Sequence, residues 1–135
     1  REAGRDDRCV LARVAIGIDP DQVDYADPAL PPGMNPAMIR AGVDLAMAGL
    51  AAAGHDAVQL YIPAAAAQAL PLFAQTLAAA RFDCVVIGGG VSHPPANRPL
   101  FEALLNAIAK ASPPPAIGLI SRPDEGPAAV ARVLG

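Results

Sequence analysis

Apolar residues occur in four short runs, which are separated by longer segments whose apolar residues recur at a different spacing. The runs are Val10–Ile18, Ala57–Ile62, Cys84–Gly88 and Ala116–Ile120, and β-branched residues are prominent in the first and third of them. Short apolar runs bounded by Gly, Pro and Asp are typical of parallel strands that are buried on both faces. The pattern therefore predicts four β-strands.

The segments between and after these runs have the composition and spacing of helices. The predicted helices are 36–53, 70–80, 99–111 and 124–134. Asn35 and Pro36 suit the N-cap and the first position of the first helix. Pro71 predicts a short turn before the second helix, because proline removes a backbone hydrogen bond and clashes with the preceding turn. Asp124 is the predicted N-cap of the last helix.

Strands that alternate with helices of this length predict right-handed βαβ units on a parallel sheet. We expect an α/β fold, a three-layer sandwich whose doubly wound, mostly parallel sheet has about four strands, as in flavodoxin-like and Rossmann-like proteins. A flexible segment 1–8 precedes a single domain 9–135 in this interpretation. Ligands of such folds bind outside the carboxyl ends of the strands. We therefore expect a ligand site in the loops that follow the four runs.

Composition narrows the classes of function. The 135 residues are 53% apolar and 17% charged, with a net charge of −3, which predicts a cored domain with no basic surface for nucleic acid. Charged residues interrupt the richest apolar stretch, so we expect no membrane span. Cys9 and Cys84 both adjoin strand-like runs and are expected to be buried small residues, which favours a reducing, cytoplasmic location.

Three consecutive glycines, Gly88–Gly90, end the third apolar run and predict a close approach to the backbone. One interpretation is that their N–H groups line a site for a small anionic ligand. The other is a tight strand exit that requires positive φ angles. A ligand site predicts that Gly89→Val abolishes binding while the fold survives. The candidate ligand contacts at the carboxyl edge are Asp19, Gly88, Gly89, Gly90, Ser92, His93, Ser121 and Arg122.

Asp19 and Asp21 directly follow the first predicted strand and are candidates for catalysis or for holding Mg²⁺. An apolar strand followed by Asp-x-Asp resembles the first motif of haloacid-dehalogenase-type phosphatases, which implies a nucleophile at Asp19 and an acid at Asp21. Ser121 could supply the second motif, but the single lysine, Lys110, precedes it instead of following it. The alternative is that these aspartates only cap turns.

Two longer stretches resemble a small bacterial family of uncharacterised α/β proteins. They are Ile18-Asp19-Pro20 continuing through Val23–Leu30 to Pro32-Gly33, and Phe82–Val91 with Pro94-Pro95 and Leu100–Glu102. An arginine is common in that family where Ser92 stands here. The resemblance implies a fold for most of the chain from Cys9 onward, and it implies no activity.

These observations favour a protein that binds a small anionic ligand at the carboxyl edge of its sheet. A non-catalytic assembly module is the alternative, because a sheet of four strands leaves open edges and alanine-rich helices have flat faces, so a homodimer or other homo-oligomer is expected. A weaker alternative is a Mg²⁺-dependent, phosphatase-like hydrolase. The identity of the ligand is not predicted.

Overall fold

The computed structural model describes the backbone of residues 12–134 and the side-chain environments of residues 16–134. Its sheet consists of β1 (Ala12–Ile18), β2 (Asp56–Ile62), β3 (Cys84–Ile87) and β4 (Ala116–Leu119). Each of the three strand pairs is parallel, and the order across the sheet is β2-β1-β3-β4. The predicted parallel sheet is confirmed. The predicted flexible segment 1–8 and Cys9 lie outside the described residues.

Helices cover both faces of this sheet. They are α1 (Pro36–Ala52), α2 (Ala66–Ala79), the single turn α3 (Gly89–Ser92), α4 (Arg98–Ala109) and α5 (Gly126–Leu134). Helix α1 packs beside α5 on one face, and α2 packs beside α4 on the other. The expected three-layer, doubly wound α/β fold is therefore confirmed. Within residues 12–134, no helix has both the length and the hydropathy that crossing a bilayer requires.

The second helix differs from its prediction, because it begins at Ala66 and contains Pro71. Proline deprives the carbonyl four residues earlier of its donor. That residue is Ala67, which is exposed together with Pro71, so water can satisfy the carbonyl. Burial of Ala69 and Phe73 on the inner face of α2 stabilises the helix across the proline.

The last helix also starts differently, since Asp124 does not cap it. A 3₁₀ turn over Pro123–Glu125 precedes α5, which begins at Gly126. The Glu125 carboxylate accepts hydrogen bonds from the N–H groups of Ser121 at 2.8 Å and Arg122 at 3.3 Å. Asp124 lies 3.8 Å from the Arg122 guanidinium. Glu125 thus fixes the residues that enter the 3₁₀ turn, and the prediction that Asp124 caps the last helix is wrong.

Strand β3 lies at the centre of the core, and all four of its residues are buried. Val85 and Ile87 join the larger apolar cluster, whereas Cys84 and Val86 join a smaller one with residues of α1 and α5. This alternation is the two-residue period of a strand that is covered on both faces. The prediction that Cys84 is a buried small residue is confirmed.

Small residues bring α1 and α5 close together. A Cβ atom on Gly42 would lie 3.1 Å from a carbon of Pro123, and one on Gly49 would lie 3.2 Å from a carbon of Pro127. Gly126 in turn faces Ala46, because its Cβ would lie 3.3 Å from that of Ala46. Larger side chains at these positions would push the two helices apart.

Candidate functional site

The sheet reverses its direction of winding between β1 and β3. The chain passes from β1 to β2 on one side and then crosses to β3 on the other, so the loops that follow β1 and β3 diverge at the carboxyl edge. Ligands of open parallel sheets bind at such a point. Both loops are fastened to the sheet there. The N–H of Gly88 donates to the carbonyl of Ile16 at 2.8 Å, and the N–H of Asp19 donates to that of Ile62 at 2.9 Å.

An apolar cavity of about 80 Å³ lies at this edge, between the sheet and the layer of α1 and α5. Its wall includes Ile16 from β1, Val43 and Leu50 from α1, and Val130 from α5. The polar side chains that line it are those of Tyr25, Gln59, Tyr61 and Ser121. Gly88, Gly89 and Gly90 complete the wall, so the cavity meets the glycine turn that the sequence singled out.

Close packing, and not positive φ, requires glycine at the first two positions of this turn. Gly88 has a φ of −72°, and the positive-φ glycines of the described chain are Gly33 and Gly54. A Cβ on Gly88 would lie 3.2 Å from the carbonyl oxygen of Ile16. A Cβ on Gly89 would lie 2.7 Å from the carbonyl oxygen of Ser121, closer than real Cβ atoms approach, so the backbone would have to shift. This contact argues against the expectation that the fold survives Gly89→Val.

Gly90 is different from its two neighbours, because no atom lies within 4 Å of the position that a Cβ would occupy there. Its carbonyl accepts a hydrogen bond of 2.8 Å from the Asn97 amide. Gly89 and Gly90 are the first two residues of α3, so their N–H groups have no acceptor within that turn. The turn thus combines tight packing at Gly89 with open space at Gly90.

His93 and Ser121 form the side-chain contact of this turn. The Nε2 atom of His93 lies 3.0 Å from the Oγ atom of Ser121, although 28 residues separate them in sequence. Both side chains are exposed, and Ser121 also lines the cavity. Asp19, Ser92, His93 and Arg122 do not line the cavity. The predicted ligand contacts therefore divide equally into four residues that line the cavity and these four, which do not.

The aspartates of the loop after β1 bind its backbone. Asp19 accepts a hydrogen bond of 3.0 Å from the N–H of Asp21 and so caps the 3₁₀ turn Pro20–Gln22. Asp24 accepts one of 3.1 Å from the N–H of Ala26, and the Asp27 carboxylate likewise binds the N–H two residues on, at 2.8 Å. Aspartate side chains that bind the backbone two residues on are a general means of fixing turns.

Arg40 on α1 pairs with the same loop. Its guanidinium lies 3.0 Å from the Asp21 carboxylate and 3.8 Å from that of Asp19. The hydrogen bond with Asp21 raises the pKa of Arg40 above its ordinary value. No group of three or more His, Cys, Asp or Glu side chains suited to a metal ion occurs among the described residues. A Mg²⁺ site at Asp19 and Asp21 stays a prediction.

The remainder of this loop forms part of the cavity wall. Val23, Leu30 and Met34 line the cavity from above the carboxyl edge. The Tyr25 hydroxyl donates to the carbonyl of Pro20 at 2.7 Å, and burial raises the pKa of Tyr25 although nearby Arg40 lowers it. These four apolar and aromatic residues were not predicted as site residues. The sequence signal was that large apolar and aromatic residues occur within a loop that is otherwise rich in Asp and Pro.

The candidate site is thus an apolar cavity whose wall includes the glycine turn and the exposed Ser121. Sequence reasoning missed three further polar residues at this edge, Glu125, Arg40 and Tyr61. The contact of Arg40 with Asp21 joins residues 19 positions apart, whereas Glu125 binds N–H groups only three and four residues away. Comparison of the chain with protein-family models, with curated proteins and with solved structures gives no match, so the geometry described above carries the functional argument.

Proposed function

We propose that this protein binds a small carboxylate whose apolar tail occupies the cavity. The observation that carries the proposal is the position of the apolar cavity, which meets the glycine turn at the switch in strand order. Small-molecule sites are mostly apolar and contain a few polar groups that orient the ligand. The Ser121 hydroxyl and the N–H groups of Gly89 and Gly90 are donors for the carboxylate at that end.

The size of the cavity limits the tail. An apolar cavity of about 150 Å³ holds benzene, so by proportion one of 80 Å³ holds about three carbon atoms. The propyl tail of butyrate has this size, and its carboxylate would then lie at Ser121 and Gly90. This proposal keeps the small anionic ligand that the sequence predicts, and it adds an apolar body to that ligand.

Titration calorimetry with a chain-length series tests the proposal. Each buried methylene contributes about 0.8 kcal/mol. Butyrate, with two more methylenes than acetate, should therefore bind about tenfold more tightly, and octanoate should gain nothing further. Val43→Phe should abolish the binding of butyrate, since Val43 is buried against the cavity. Leu45→Phe is the matched control, because Leu45 lies on the outer face of the same helix and is 69% exposed.

Equal affinity for acetate and butyrate, or undiminished binding by the Val43→Phe protein, would contradict the proposal. Both results would mean that the cavity takes no part in binding. A folded wild type that binds no member of the series would favour the second candidate function, which is assembly.

The second candidate is a homodimer or other homo-oligomer. Large apolar side chains are exposed on α1 and on the edge strand β4, with Leu45 at 69% and Leu119 at 47%. Exposed apolar residues on an unpaired edge are a feature that proteins usually cover. The native mass of the wild type, measured on the calorimetry samples, decides between monomer and oligomer. The cytoplasmic location also belongs to this proposal, and burial of Cys84 as a small core residue supports it.

A further inference from the structure

The contact between Ser121 and His93 has the geometry of a nucleophile beside a general base. The Oγ atom of Ser121 and the Nε2 atom of His93 are 3.0 Å apart, within the range for proton transfer through a hydrogen bond. Both side chains are exposed, and so a substrate can reach them.

Packing and capping hold this pair in place. The Ser121 N–H donates to the Glu125 carboxylate at 2.8 Å, which fixes the backbone at the serine. Gly89 lies against both members of the pair, since a Cβ there would lie 2.7 Å from the Ser121 carbonyl oxygen and 2.9 Å from the His93 ring. The two turns that carry the pair are therefore in van der Waals contact at Gly89.

The surroundings of Ser121 provide space for the acyl group of a substrate. Ser121 also lines the apolar cavity, so an acyl chain in the cavity would have its carbonyl carbon near Oγ.

We propose that Ser121 and His93 are a catalytic dyad that hydrolyses esters of short-chain carboxylic acids. The inference rests on the proposed function, because the acyl chain occupies the cavity that binds the carboxylate. The carboxylate of the proposed ligand is then the product of the reaction.

The chemistry needs only water as a second reactant. The Ser121 Oγ attacks the carbonyl carbon, and its proton passes to His93 Nε2. The bond to the leaving alkoxide oxygen breaks, and that oxygen takes the proton from His93. Water then attacks the acyl-serine with His93 as its base. The acyl–oxygen bond to Ser121 breaks, the serine regains a proton from His93, and the carboxylate leaves.

The test uses the full chain, p-nitrophenyl butyrate as substrate and an alkyl fluorophosphonate as a covalent probe. We expect one phosphonyl adduct, on Ser121, and release of p-nitrophenolate. Ser121→Ala should abolish both, and His93→Gln should lower both rates by about 10²-fold to 10⁴-fold, the usual contribution of a general base. Ser112→Ala is the matched control, because Ser112 is exposed at the opposite end of the sheet and should react as the wild type does.

An adduct on Ser92 or Ser112, or a rate that Ser121→Ala leaves unchanged, would overturn the dyad. Both substituted side chains of the dyad are exposed, so the variants should melt as the wild type does, and thermal denaturation checks this. Calorimetry with butyrate separates the two proposals. Butyrate binding without adduct or turnover overturns the dyad alone, whereas an adduct on Ser121 without butyrate binding overturns the carboxylate site alone.

Discussion

Two loops leave the carboxyl edge of the sheet side by side, and they use their polar groups in opposite ways. The loop after β1 contains four aspartates, three of which bind backbone N–H groups, while Asp21 pairs with Arg40. The turn after β3 has almost no side chains, and the N–H groups of its first two residues have no acceptor within the turn. His93, at the end of that turn, and Ser121, after β4, are both exposed. The abundance of acidic groups therefore does not indicate which part of this edge has unused hydrogen-bond donors.

The two loops differ because aspartate side chains form hydrogen bonds with nearby backbone N–H groups, whereas glycine has no side chain that could do so. Aspartate competes with solvent for nearby N–H groups and fixes turns in a loop that has no sheet partner. Glycine has no side chain that could cap anything, so a glycine turn leaves its donors for other groups. The aspartate loop consequently contributes mainly apolar residues to the wall of the cavity, and the glycine turn is where we propose that the ligand binds.

The largest effect on stability is expected from a substitution that adds a single methyl group to the glycine turn. Gly89→Ala should lower the free energy of unfolding by about 1–3 kcal/mol, the usual cost of overpacking a core position, because Cβ would meet the Ser121 carbonyl. Gly90→Ala is the matched control and should unfold within about 0.5 kcal/mol of the wild type, since its Cβ would meet nothing. Urea denaturation measures both. Equal losses would show that the two positions are not packed as described.

A smaller loss of stability is expected from substitution of Asp19 in the loop after β1. Asp19→Ala removes the side-chain cap of the 3₁₀ turn and should cost about 0.5–1 kcal/mol. Asp19→Asn should cost only a few tenths of a kcal/mol, because the amide oxygen accepts the same hydrogen bond. Thermal denaturation with and without excess Mg²⁺ checks this. If Mg²⁺ raised the Tm of the wild type and not that of Asp19→Asn, the loop would be a metal site after all.

The smallest expected effect is a dependence of the stability of the fold on pH, which arises from Glu125. Hydrogen bonds from the N–H groups of Ser121 and Arg122 lower the pKa of Glu125 below its ordinary value of 4.5, although burial opposes them. The ionised carboxylate thus stabilises the folded state above pH 4.5, and this contribution disappears as the pH falls through the lower, folded-state pKa. Glu125→Gln should cost about 0.5 kcal/mol at neutral pH, since the carboxylate is exposed.

Thermal melts of the wild type and Glu125→Gln across the acidic range measure that difference. The two curves should converge once the carboxylate of the wild type is protonated. Curves that stay parallel down to acid pH would mean that the charge of Glu125 contributes nothing to holding the Ser121 turn.

Much of the fold was predictable, because it depends on local periodicity. The strands and α1 follow from apolar spacing and from the Asn35-Pro36 cap, whose amide oxygen accepts the N–H of Met38 at 2.9 Å. The predicted start of α2 was wrong, since burial of Phe73 outweighs the cost of Pro71. The prediction for Asp124 was wrong because a residue one position away reaches two N–H groups and Asp124 reaches the Arg122 side chain.

The candidate site was predictable only in part, and for the same reason. Parallel topology predicts that the glycine turn and Ser121 lie at the same edge of the sheet, since the carboxyl ends of parallel strands meet there. Topology does not predict that His93 contacts Ser121 instead of its sequence neighbour Ser92. That contact depends on how closely α3 packs on the turn after β4.

Periodicity and turn chemistry, which act over a few residues, determined the α/β class, the order of elements along the chain and the edge that carries the loops. The strand order, the cavity, the pairing of Arg40 with the aspartate loop and the contact between His93 and Ser121 were decided by tertiary structure. These features join groups far apart in sequence, and their energies depend on distances of a few ångströms that no local pattern encodes.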